Sequence, residues 1–196
     1  MKKIFFLSFL FFQIALANPE IFTVATVNHT IITNLDIKYE ISLLKILNKD
    51  LINKIKNVDE FAMSSLIEDS LKKEEIKKYN IETEKKKIDQ KYYEILNQFK
   101  IDINNIPENI NIKIFERIKR DIEWNILVSR LYAWKVSVNL NEIEEILKYA
   151  NKNLETNEYI LKKDEIITNE KNKKLQIYSQ NHLNNLKKNS IIKFTK

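Results

Sequence analysis

The chain has 196 residues, a formal net charge of +6, and neither cysteine nor glycine. Without cysteine there is no disulfide framework and no thiol nucleophile, and without glycine there is no glycine-rich loop to cradle a phosphate. The cations are nearly all lysine, with arginine only at Arg117, Arg120 and Arg130, and they interleave with acids instead of forming a stripe, which argues against nucleic-acid binding.

Residues 1–17 read as a secretory signal peptide: Lys2 and Lys3, an apolar run from Ile4 to Phe12, then Ala15-Leu16-Ala17 as a small-x-small cleavage site. The apolar run falls short of the roughly 20 residues a spanning helix needs. Cleavage after Ala17 would leave Asn18-Pro19 at the start and, with two lysines lost, lower the net charge to +4. The expected product is a soluble protein of an exported compartment, held by packing alone.

Two β-branched runs, FTVATV and TIIT, flank Asn28-His29 and predict a two-residue hairpin. Such turns favour glycine. Asparagine tolerates a left-handed backbone best among the other residues, so Asn28 holds the turn and His29 is expected to be its strained, exposed member. Thr33 and Asp36 form a capping box for a first helix over 34–47. Leu35, Tyr39, Leu43 and Ile46 lie on one side of it and Ile37, Ile41 and Leu44 on the other. A break at Lys56–Asp59 precedes a second helix over 59–79, with Asn80 as a left-handed cap. A third helix restarts at Ile81–Glu84, its core stripe being Ile88, Tyr92, Ile95, Leu96 and Phe99.

The polar connector over 101–112 contains Pro107 and reads as a loop. In the fourth helix, over 112–136, Phe115, Ile118, Ile122 and Ile126 form one stripe. Trp124, Leu127, Leu131 and Trp134 form a second, nearly opposite, so the helix should run from a surface position into the middle of a bundle. A short helix with Ile143, Ile146, Leu147 and Ala150 on one face follows. Tyr159–Leu161 and Ile166-Ile167 then read as a short strand, and a polar helix over 169–188 carries Leu175, Tyr178, Leu183 and Leu186. The closing IIKFTK reads as a last strand. The fold class is mainly α, with an N-terminal β-hairpin and a small C-terminal strand pair.

Little in the chain points to bond chemistry. His29 and His182 have no neighbours at metal-ligand spacing, so no metal and no cofactor are expected. The acid pairs Glu74-Glu75 and Glu144-Glu145 read as solvated faces of lysine-rich helices.

The order of segments resembles the N-terminal module of the SurA family of periplasmic chaperones. The resemblance covers residues 20–150. It rests on the hairpin and helix start VNHTIITNLDI, on LIEDSLKKEEIKKYNI (Leu66 to Ile81), on IKRDIEWNILVSRLY (Ile118 to Tyr132) and on the following VSVNLNEI. The hairpin motif is one residue longer here than the family's, and Asn or His stands where the family has glycine. NEYILKKDEII is similar to the first strand of a parvulin isomerase domain. The glycine-rich and histidine-bearing segments of a parvulin site do not appear in residues 151–196, and SIIKFTK stands where the family's chain returns to its core.

The resemblance implies a chaperone domain over 18–150 and a parvulin-like remnant over 151–196. It implies a periplasmic holdase for unfolded outer-membrane β-barrel polypeptides that acts without ATP and is not an enzyme. The alternatives are a parvulin-related prolyl isomerase and a structural subunit with one fixed partner. Residues expected to bind client peptide are Trp124, Leu127, Leu131, Trp134, Ile37, Ile41 and Leu44. For the tryptophan stripe the choice lies between core and groove, with Trp134 expected toward the core and Trp124 toward the client.

Overall fold

The computed structural model describes residues 20–47, 49–150 and 156–195. The signal segment, with Ala15 and Ala17, lies outside them. Strands β1 (Thr23–Val27) and β2 (Thr30–Thr33) form the N-terminal hairpin. Among the described residues seven α-helices follow: α1 (Asn34–Leu47), α2 (Lys49–Lys54), α3 (Val58–Lys78), α4 (Lys85–Gln98), α5 (Glu108–Tyr132), α6 (Leu140–Ala150) and α7 (Thr156–Asn189). Strand β3 (Ile192–Phe194) then pairs antiparallel with β1, giving a three-stranded sheet in the order β2-β1-β3. The fold is mainly α with a small antiparallel sheet.

The hairpin forms without glycine because Asn28 takes the left-handed conformation, at φ 51°. His29 is exposed but is not among the positive-φ residues, so the strain falls on Asn28 alone. Asn28 also fixes the far end of the chain. Its backbone N–H donates to the Ile191 carbonyl at 2.8 Å and its Oδ1 accepts from the Ile191 N–H at 2.9 Å. Its Nδ2 donates to Glu74 Oε2 at 2.7 Å. One residue thus closes the turn, seats the last strand and ties both to α3.

The capping box at α1 is reciprocal: Thr33 N donates to Asp36 Oδ2 at 2.9 Å, and Asp36 N donates to Thr33 Oγ1 at 3.2 Å. Asn80, at φ 49°, ends α3 in a left-handed cap, with the Ile81 N–H reaching back to the Ile76 carbonyl at 3.2 Å. The same motif ends α4 at Lys100, φ 52°, where Ile101 N–H donates to the Leu96 carbonyl at 2.9 Å. No sequence signal marked that second cap, because lysine is a poor left-handed residue.

Several boundaries and one element differ from the sequence reading. A short α2 occupies part of the stretch between the first two long helices, and α4 begins at Lys85, after Glu84 as its cap. The connector is partly helical: Ile103–Asn105 form a 3-10 turn and Pro107 caps α5, with the buried Ile106 and Ile110 pulling the segment inward. The expected strand over Tyr159–Ile167 is helical and belongs to α7, which runs unbroken for 34 residues. No glycine or proline interrupts that stretch, and Lys163 ties it to Glu144 of α6 at 2.8 Å, while Ile160 and Leu161 face solvent.

Two clusters of buried residues are joined by α5, and Ile143 and Leu147 of α6 are buried apart from both. In one, Leu43 of α1, Ile88, Tyr92 and Leu96 of α4 and Ile110, Ile114 and Ile118 of α5 pack together. In the other, the sheet residues Ala25, Val27 and Ile32 pack with Ile67, Leu71 and Ile76 of α3, Trp124, Leu127 and Val128 of α5, and Leu183 of α7. Helix α5 therefore changes partners half-way, as its two stripes require.

Candidate functional site: two clefts along α5

Between the two clusters the fold buries charge. Arg117 donates to both Glu40 oxygens at 2.8 and 2.7 Å, to Asp69 Oδ2 at 2.6 Å and to Ser65 Oγ at 3.3 Å. Arg120 shares the same Asp69 oxygen. The Glu40 side chain is only 4% exposed. Burial works against the Arg117 charge, but the Asp69 and Glu40 carboxylates outweigh it and hold the guanidinium above its ordinary value. This network binds α1, α3 and α5 into one frame.

The network forms one wall of a cleft of about 220 Å³, lined from β2, α1, α3 and α5. Its charges are mixed: Asp36, Glu40, Asp69 and Glu116 face Lys73, Lys113, Arg117 and Arg120. Most of them are already satisfied by one another, which suits a structural seam better than a ligand pocket.

Glu116 also lines a second cleft, of about 350 Å³, between α4 and α5. Its other lining residues are Asp89, Tyr92, Tyr93, Ile103, Asn111, Ile112 and Phe115. The floor is aromatic and fixed. Tyr92 packs on Phe115 with ring centroids 6.1 Å apart, meets Tyr93 edge to face at 5.4 Å, and donates its hydroxyl to Asn111 Oδ1. Burial raises the Tyr92 hydroxyl above its ordinary value. Tyr93 is 59% exposed, and Ile103 and Ile112 are exposed at the rim.

The residues expected to bind client do not form one groove. Trp124 is 3% exposed and donates its indole N–H to Ser179 Oγ of α7 at 2.8 Å, and Leu127 is fully buried beside it. Leu131 and Ile37 pack against the same core cluster, while Ile41 and Leu44 are half-buried on α1. Trp134 is the reverse of its expectation at 79% exposed. Helix α5 ends at Tyr132, and the 3-10 turn Ala133–Lys135 rotates Trp134 off the stripe; its indole N–H bonds back to the Leu131 carbonyl at 2.9 Å and Lys135 lies over its ring.

The acid pair Glu74-Glu75 is likewise not a solvated face. Glu75 is 6% exposed, and Glu74 holds Asn28. Glu75 Oε1 lies 3.3 Å from His182 Nε2, and His182 Nδ1 is 2.7 Å from the Tyr132 hydroxyl. His182 thus helps to dock α7 on α3 and α5. Among the described residues no three His, Cys, Asp or Glu side chains gather to hold a metal, and no helix is long and apolar enough to cross a membrane.

Sequence reasoning placed Tyr92 in the core stripe of its helix and did not single out Tyr93, Ile103 or Ile112. The available signal was position: Tyr93 lies one residue round the helix from the stripe of Ile88, Tyr92 and Leu96, at the edge of that face. No protein-family model matches this chain, and no curated protein matches it.

Proposed function

We propose that this chain is an exported holdase that binds extended, aromatic-rich segments of unfolded polypeptides, outer-membrane β-barrel proteins foremost, in the cleft between α4 and α5. The observation that carries the reading is an aromatic cleft between α4 and α5, with the buried Tyr92 and half-buried Phe115 at its floor and Tyr93, Ile103 and Ile112 exposed at its rim. An apolar client side chain entering the cleft contributes about 25 cal/mol for each Å² taken from water. Much of that gain is offset by ordering the flexible client. The balance is weak, reversible and repeatable along a chain, which is what holding requires. No bond chemistry or nucleotide enters the mechanism. The resemblance of its segment order to SurA-type modules, and the signal-like start, support a periplasmic setting.

The test is suppression of aggregation when a urea-unfolded outer-membrane β-barrel is diluted into buffer with the full chain. Tyr93→Ala and Ile112→Ala, both at exposed positions, are expected to reduce suppression while leaving the urea midpoint of the protein itself within experimental error. Full suppression by both variants would remove this cleft from the mechanism. Amino-terminal sequencing of the exported product should begin at Asn18.

A further inference from the structure

The two clefts along α5 differ in charge. The first is lined by both signs in equal number. Among the described residues, the charged ones lining the aromatic cleft are Asp89 and Glu116, both acids, in a chain whose overall charge is +6. Asp89 is half-buried at the cleft, and its side chain has neither an ion pair nor a hydrogen bond among the described residues. Glu116 has only Lys113, at 3.5 Å with both side chains largely exposed, a pairing that water screens heavily. On α4, Asp89 stands one turn before Tyr93, so its carboxylate and the exposed ring share a helix face. On α5, Glu116 follows Phe115 and reaches the cleft from the opposite wall.

An aromatic face attracts a cation within about 6 Å of its centroid, and a neighbouring carboxylate adds to that attraction. A client segment that places an aromatic side chain in the cleft and a lysine or arginine beside it would satisfy both the floor and the rim. An acidic neighbour would meet two carboxylates.

We infer that the α4–α5 cleft selects unfolded segments in which a lysine or arginine flanks an aromatic residue, with Asp89 and Glu116 as the specificity-determining side chains. The inference rests on the reading of the cleft as a polypeptide site. Its sign is opposite to that of the molecule as a whole, because a net-positive protein attracting peptides by overall charge would favour acidic ones. That opposition makes the inference separable from bulk electrostatics.

Three labelled, unstructured peptides of equal length, alternating phenylalanine with lysine, glutamine or glutamate, are titrated with the full chain and followed by fluorescence anisotropy. The lysine peptide is expected to bind roughly three- to tenfold more tightly than the glutamine peptide, with the glutamate peptide weakest. Asp89→Asn combined with Glu116→Gln should collapse the ranking, whereas Glu165→Gln, an exposed acid on α7, should preserve it. Equal binding of all three peptides, tighter binding of the glutamate peptide, or a lysine preference that survives in the double variant would overturn the inference and leave polypeptide binding intact. Failure of all three peptides to bind would remove both.

Discussion

Replacing Arg117 by methionine tests the frame that ties α1, α3 and α5 together and walls the first cleft. The change keeps an unbranched side chain of similar length and removes the guanidinium that meets Glu40 at 2.8 and 2.7 Å. Glu40 is then stranded at 4% exposure, and Asp69 keeps only Arg120. Removing one member of a buried pair costs about 3–5 kcal/mol, mostly as the penalty of the uncompensated charge left behind. Replacing both members by apolar residues should cost much less, so Glu40→Leu with Arg117→Met is expected to recover most of the loss. The assay is urea unfolding followed by tryptophan emission, to which the buried Trp124 contributes a probe of the adjacent core cluster. A deficit under about 1 kcal/mol would refute the reasoning.

Three further outcomes follow from the geometry. Trp124→Ala should destabilise by about 3–5 kcal/mol, whereas Trp134→Ala at its exposed turn should stay within about 0.5 kcal/mol; urea midpoints of the two variants decide it, and equal losses would contradict the placement. Lys100→Gly should stabilise by about 1 kcal/mol because it relieves a left-handed lysine, measured as a shift in thermal midpoint, and no gain would argue against that cap. Burial raises the hydroxyls of Tyr92 and Tyr132, so the folded state holds those protons more tightly than the unfolded chain; stability is whole below the ordinary tyrosine value of about 10 and falls as pH rises through the raised folded values, with phenolate absorbance appearing later than in free tyrosine.

Local chemistry carried much of the architecture in the sequence. The capping box at Thr33 and Asp36, the left-handed asparagines at 28 and 80, and the stripe of α4 from Ile88 to Leu96 each follow from neighbours a few residues away and stand as the residues predict; Phe99, expected in that stripe, is exposed because α4 ends at Gln98. The two stripes of α5 were also legible, since a helix apolar first on one side and then on two must change partners along its length. Which apolar residue ends up in water was not legible, because that depends on elements distant in sequence. Trp124 is buried because α7, starting beyond residue 155, supplies Ser179 and Leu183 against it. Trp134 is exposed because α5 stops two residues earlier, at Tyr132. Glu75 lost its solvent to His182, more than a hundred positions away. The 159–167 stretch has the composition of a strand, yet it is helix, since no neighbouring strand offers it a ladder and α6 offers it a packing face. Periodicity fixes the face a residue occupies on its own element; only the tertiary arrangement supplies, or withholds, what covers that face.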